Sequence, residues 1–117
     1  IAVACHPVTL FKGSLGKNTN SKFDAVEVIN SSAFPFNYSI KHAQRIASNL
    51  GIAKVAGSDA HYGPEIGYAY TLVDAELNVE EIMKAIRKGL CQPFGIAIPI
   101  IIRLKRELLS LKRKFYI

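Results

Sequence analysis

Short apolar runs and longer stretches of helical spacing take turns along this chain. Residues 1–5 are apolar and end in His6-Pro7. Side chains alternate across a strand, so counting back from His6 by twos gives Ala4 and Ala2. That face leaves room beside the imidazole, and Val3 and Cys5 face the other way, toward a covering helix. The next apolar run, Ala25 to Ile29, is interrupted only by Glu27 and followed by Asn30. Ile40, Ala43, Ile46, Ala47 and Leu50 then recur at helical spacing. They predict a helix over 38–50, with Asn37 as N-cap and Gly51 just past its end. Ala53 to Ala56 reads as a third buried strand, running into Gly57-Ser58-Asp59-Ala60-His61. A turn-rich loop over 62–67 leads to an alternating, aromatic strand from Tyr68 to Val73. Asn78 opens a second helix, with Glu81 at the third position in an Asn variant of the capping box and Gly89 as its stop. Ile101, Leu104, Leu108, Leu111 and Phe115 close the chain as the apolar stripe of an amphipathic helix.

Strand, helix and strand in alternation imply an α/β chain built of parallel βα units. Ligands of such folds gather at the carboxyl ends of the strands, where His6, Asn30, Asp59 and His61 are expected. In an extended chain Asp59 and His61, two apart, point to one face. A carboxylate and an imidazole aimed into one space suit a metal ion, and His6 supplies a third donor. Such a trio leaves open positions, so the ion can activate water and polarise a phosphoryl oxygen. Zinc, manganese and iron all suit the mixed nitrogen and oxygen set. Satisfied core polar groups are the plainer alternative. Glu27, a carboxylate in mid-strand, needs a partner, a metal or exposure. Asn30 either hydrogen-bonds a ligand or makes a turn, and His42 reads as an exposed helix histidine.

Composition narrows the picture. The 117 residues amount to one domain, half of them hydrophobic. Cys5 and Cys91 lie far apart, which excludes a disulfide scaffold or zinc finger and fits a reduced, cytoplasmic chain. No signal peptide is present, and the apolar run 96–102 is too short to span a bilayer and contains Pro99. Six basic residues and one acid fall between 103 and 114, so the net charge of +6 belongs mainly to the terminal helix. The division expected is 1–95 for the α/β portion and 96–117 for the basic helix. That helix is open to packing on the domain, to self-association through its heptad seam, or to nucleic acid. The Gly/Lys/Asn-rich loop over 11–22 has phosphate-binding character, with Lys12 and Lys17 as candidate substrate contacts. It departs from G-x-x-x-x-G-K-[ST], because Phe11 occupies the first Gly position, and an ordinary surface loop is the plainer reading. The chain opens in mid-strand without Met, which leads us to expect a C-terminal fragment of a longer protein.

Ala4-Cys5-His6-Pro7, Ala25-Val26-Glu27-Val28-Ile29-Asn30 and Gly57-Ser58-Asp59-Ala60-His61, in that order, resemble the C-terminal half of the PHP (polymerase and histidinol phosphatase) family. Gly67-Tyr68-Ala69-Tyr70-Thr71 and the helix ending in Lys88-Gly89 resemble its closing segment. The resemblance implies the C-terminal part of a distorted TIM-like (β/α)7 barrel and metal-dependent hydrolysis of phosphate esters, often by more than one metal. His6 matches the family's H-P ligand, and Asp59 and His61 its final D-x-H ligands. Glu27 and Asn30 match a recurring strand motif and are placed as second-layer or substrate-binding candidates. The family's opening H-x-H motif is not in this sequence, so the resemblance implies a chain that completes its metal cluster only with other residues. The competing expectation is a non-catalytic PHP-like scaffold, or an RNA-associated module acting through the basic helix.

Overall fold

The computed structural model describes residues 1–11 and 13–116. Strand β1 (Val3–Ala4), β2 (Ala25–Asn30) and β3 (Ala53–Gly57) form a parallel sheet in that order. Helix α1 (Phe36–Leu50) connects β2 to β3 and lies on this sheet. Its buried Ala43 and Ala47, with Ile40 and Ile46 beside them, meet Val26, Val28 and Ile29 of β2 in the main core. Small residues on the helix let it approach the sheet closely. Gly51 ends α1 as expected, at φ 66°. The start differs: Pro35, in extended conformation, occupies the N-cap and Asn37 falls inside the helix. The fixed φ of proline sets the entry without a side-chain cap.

The second layer departs from the expectation of parallel units throughout. Strand β4 (Ala69–Val73) pairs antiparallel with β5 (Cys91–Gly95), and α2 (Val79–Arg87) joins them. β5 was not foreseen, since Pro93 removes a ladder donor and weakens the strand pattern. Asn78 caps α2 by accepting the Glu81 amide at 2.9 Å, as the spacing predicts. The two sheets are tied by Thr71. Its hydroxyl accepts from the Ala56 N–H at 2.8 Å and donates to the Ala56 carbonyl at 2.9 Å, replacing a strand ladder with one side chain. Gly95 permits the closest approach, because a Cβ there would sit 2.5 Å from Ala69 Cβ and 2.9 Å from Ile29 Cγ2. The described residues thus form an α/β unit of one open parallel sheet and one antiparallel pair, not a closed barrel.

Helix α3 (Ile100–Phe115) ends the chain. Its apolar stripe is not its docking face: Ile101, Leu104, Leu108, Leu111 and Phe115 are all half or more exposed. Contact with the body runs instead through two arginines. Arg103 donates to the carbonyls of Ile98, Ser31 and Ser32. Arg106 donates to Glu65. Among the described residues no helix is long and apolar enough to cross a membrane.

Candidate functional site at the strand ends

The parallel sheet sends the ends of β1, β2 and β3 to one side, and an irregularity in β2 sets what they present there. The β2–β3 register pairs Glu27 with Val55 but Ile29 with Ala56, so Val28 is an extra residue. In a regular strand, residues three apart face opposite ways. The bulge reverses that parity and brings Glu27 and Asn30 to one face. Gly57 shares the face, and a Cβ on it would lie 2.7 Å from Glu27 Oε1, so the glycine makes room for that carboxylate.

A hydrogen-bonded chain then runs across the strand ends. Glu27 Oε2 accepts from the His6 N–H at 2.7 Å and from Asn30 Nδ2 at 3.0 Å. The same amide nitrogen donates to Asp59 Oδ2 at 3.3 Å, and Asn30 Oδ1 accepts from the Ser32 N–H at 2.9 Å. Asn30 is thereby buried and satisfied, and it holds two carboxylates side by side. Glu27 has the partners that a mid-strand carboxylate requires, the His6 backbone N–H among them. His6 and Asp59 are both held at positive φ, 30° and 52°. Non-glycine residues in that region are uncommon and collect at functional sites. The same backbone turn overrides the alternation read from the sequence. Beyond Gly57 the chain is no longer a strand, so spacing by two does not aim Asp59 and His61 in parallel.

His61 lies at the rim, its side chain two-thirds exposed. Its Nδ1 stands 2.8 Å from the Asp59 carbonyl, which can only accept, so Nδ1 carries the proton. The neutral ring keeps its free lone pair on Nε2, the tautomer of a histidine ready to bind an ion or a proton. Its backbone N–H donates to Glu65 Oε2 at 2.8 Å. Glu65, fully buried, also accepts from Arg106 Nη1 at 2.9 Å. The turn bearing the D-x-H pair is therefore held between a buried carboxylate and α3. Glu65 escaped the sequence reading because it sits in a turn-rich loop; the only signal was an acid opposite arginines three apart on the last helix.

The remaining candidates lie elsewhere. Lys17 lines a separate hollow of about 440 Å³ with Thr19, His42 and Arg45, because the Gly16 N–H bonds the Pro7 carbonyl and turns the loop back toward α1. Lys12 is outside the described residues. His42 is occupied by the Tyr38 carbonyl and lies against the Tyr38 ring. Cys5 is exposed rather than packed under a helix, and partial burial, then the Glu27 and Asp59 carboxylates, push its thiol pKa up.

The fit to a metal is partial. His6 Nδ1 is buried and has no hydrogen-bond partner, as a vacant ligand atom would. Yet among the described residues no three His, Cys, Asp or Glu side chains stand close enough to hold an ion. These residues do not by themselves make a complete metal centre, and no chemical step is derived through one.

No curated protein matches the chain. A family model described as PHP-associated matches residues 38–91, from α1 through the D-x-H turn, β4 and α2 to the first residue of β5. His6, Glu27, Asn30 and α3 lie outside the matched stretch. Over that stretch, a little under half of its length, the chain is similar to this PHP-associated family.

Proposed function

We propose that the chain is the C-terminal portion of a PHP-type phosphoesterase that hydrolyses phosphate esters with divalent zinc, manganese or iron. In this reading the parallel β1–β2–β3 sheet is a sector of a distorted TIM-like barrel. His6, Asp59 and His61 are its contributions to the metal centre, with Glu27 and Asn30 behind them. The observation that carries the proposal is the unpartnered, buried Nδ1 of His6, in the same cluster as Asp59. Since the described residues gather no three donors, the centre needs donors beyond these. The chain alone is expected to bind metal weakly and turn over phosphate esters little. The test is a manganese titration followed by calorimetry, with phosphatase assays alongside. His6→Gln and Asp59→Asn should each weaken manganese binding, whereas equal affinity in all three proteins would remove the metal role. Rapid turnover by this chain alone would show the donor set to be complete.

A second reading follows from the exposed α3 stripe. Five apolar residues at heptad spacing, left half or more exposed, match the seam of a helix pair formed with a second copy of the chain. Sedimentation of the wild type against Leu104→Glu/Leu108→Glu reads it: a monomer in both cases would exclude self-association by this face.

A further inference from the structure

The cleft between the D-x-H turn and the last two turns of α3 has a charge balance that the strand-end cluster does not use. It is a hollow of about 340 Å³ lined by His61, Tyr62, Arg106, Ser110, Arg113 and Lys114, with Glu107 and Leu109 on the helix wall. A neighbouring hollow of about 260 Å³ shares His61 and Arg106 and reaches Ser32 and Arg103. Four cations therefore surround one imidazole, but they are not equivalent. Arg103 is committed to three backbone carbonyls. Arg106 is committed to Glu65 and Glu107, and Glu107 is thereby neutralised. Arg113 and Lys114 have no anionic partner among the described residues. Their place at the end of α3 favours positive charge through the helix dipole, but that contact leaves their donors unspent.

We propose that this cleft binds the phosphate group of a small phosphorylated ligand. Arg113 and Lys114 supply the charge, the Arg113 fork supplies paired donors, and the hydroxyls of Ser110 and Tyr62 supply the rest. A planar guanidinium beside a compact ammonium is a donor set suited to phosphate oxygens. The volume falls at the lower end of small-molecule sites, so it admits an organic remainder as well as the anion. The committed arginines form the rigid wall: the Glu65–Arg106 pair fixes α3 against the turn, and His61 projects beside the bound anion. The inference rests on the phosphoesterase reading only for the choice of phosphate as the anion; the unpaired charge is independent of it.

The test uses the whole chain, chelated free of metal, titrated with inorganic phosphate at constant ionic strength and followed by amide NMR. Saturable shifts should concentrate at His61, Tyr62 and Ser110. Arg113→Gln/Lys114→Gln should weaken binding about tenfold or more, and Lys105→Gln, an exposed lysine outside the cleft, should behave as wild type. Shifts spread over the surface, an equal loss in the Lys105 variant, or undiminished binding in the double variant would each overturn the site. Phosphate binding at the cleft with manganese affinity unchanged in His6→Gln and Asp59→Asn would count against the phosphoesterase reading alone. Manganese affinity weakened in those variants with no phosphate binding here would count against the cleft alone.

Discussion

Removing the Arg106 guanidinium probes how the candidate site is held. Glu65 is fully buried, and its two partners are Arg106 and the His61 N–H. Breaking a buried pair by deleting one member costs about 3–5 kcal/mol, because a charge stays in the interior unpaired. Two features lower that figure here. Arg106 is 31% exposed, so solvent already screens the pair. In addition, α3 meets the body mainly through Arg103 and Arg106, so the helix can swing away and rehydrate Glu65 without global unfolding. We expect Arg106→Gln to cost about 2 kcal/mol in urea denaturation. At roughly 2.1 cal/mol/K of unfolding entropy per residue, that is a Tm about 8 °C lower. Glu65→Gln should cost comparably, and the double variant less than the two losses combined, since removing both charges leaves none stranded. Amide exchange should show α3 protection falling before that of β2. Additive losses in the cycle, or a cost under about 0.5 kcal/mol for Arg106→Gln, would refute the reasoning.

Gly95→Ala should destabilise by about 2–3 kcal/mol in the same assay, since its Cβ would meet the Ala69 backbone at 2.9 Å and no flexible side chain can yield; a neutral result would mean the sheets separate easily. Cys5, though exposed, should resist alkylation, because partial burial and then the Glu27 and Asp59 carboxylates disfavour the thiolate; peptide-resolved labelling against pH should place its midpoint above that of a free thiol, and a midpoint at or below it would contradict the geometry. Asp24 accepts the Ala2 N–H at 2.6 Å and pairs with Arg87, and those contacts, the backbone donor first, lower its pKa. A lowered folded pKa adds stability that is present above the unfolded value and lost as pH falls through the folded one; Asp24→Asn should therefore flatten the acid limb of the stability curve, and an unchanged limb would count against it.

Elements whose cause is local were legible in the sequence. The apolar run of β2, the alanine stripe of α1, the Asn78 cap and the Gly51 stop each depend on residues within a few positions. What was not legible depends on distant partners. β5 becomes a strand only by pairing with β4 across α2, against the preference of Pro93. α3 docks by arginines because Glu65 and the Ser31 and Ser32 carbonyls await them, and nothing in its own periodicity reports this. The site divides the same way. His6, Asn30 and Asp59 were placed correctly at strand ends by the parallel topology. The positive φ of His6 and Asp59 goes with long-range hydrogen bonds to Glu27 and Asn30, and the sideways turn of His61 with short-range ones to Asp59 and Glu65; alternation along a strand encodes neither.

The extra residue in β2 makes the site sensitive to counting. Val28 is buried and contributes an ordinary apolar side chain, so most substitutions by similar residues should pass unnoticed. Its deletion would remove the bulge yet leave Glu27 and Asn30 two apart, and therefore still on one face. One more residue between them would do the opposite. Asn30 would rotate to the other face, and its amide would leave the Glu27 and Asp59 carboxylates unbridged. A single insertion at this point would therefore erase the cluster while leaving every one of its residues present in the sequence.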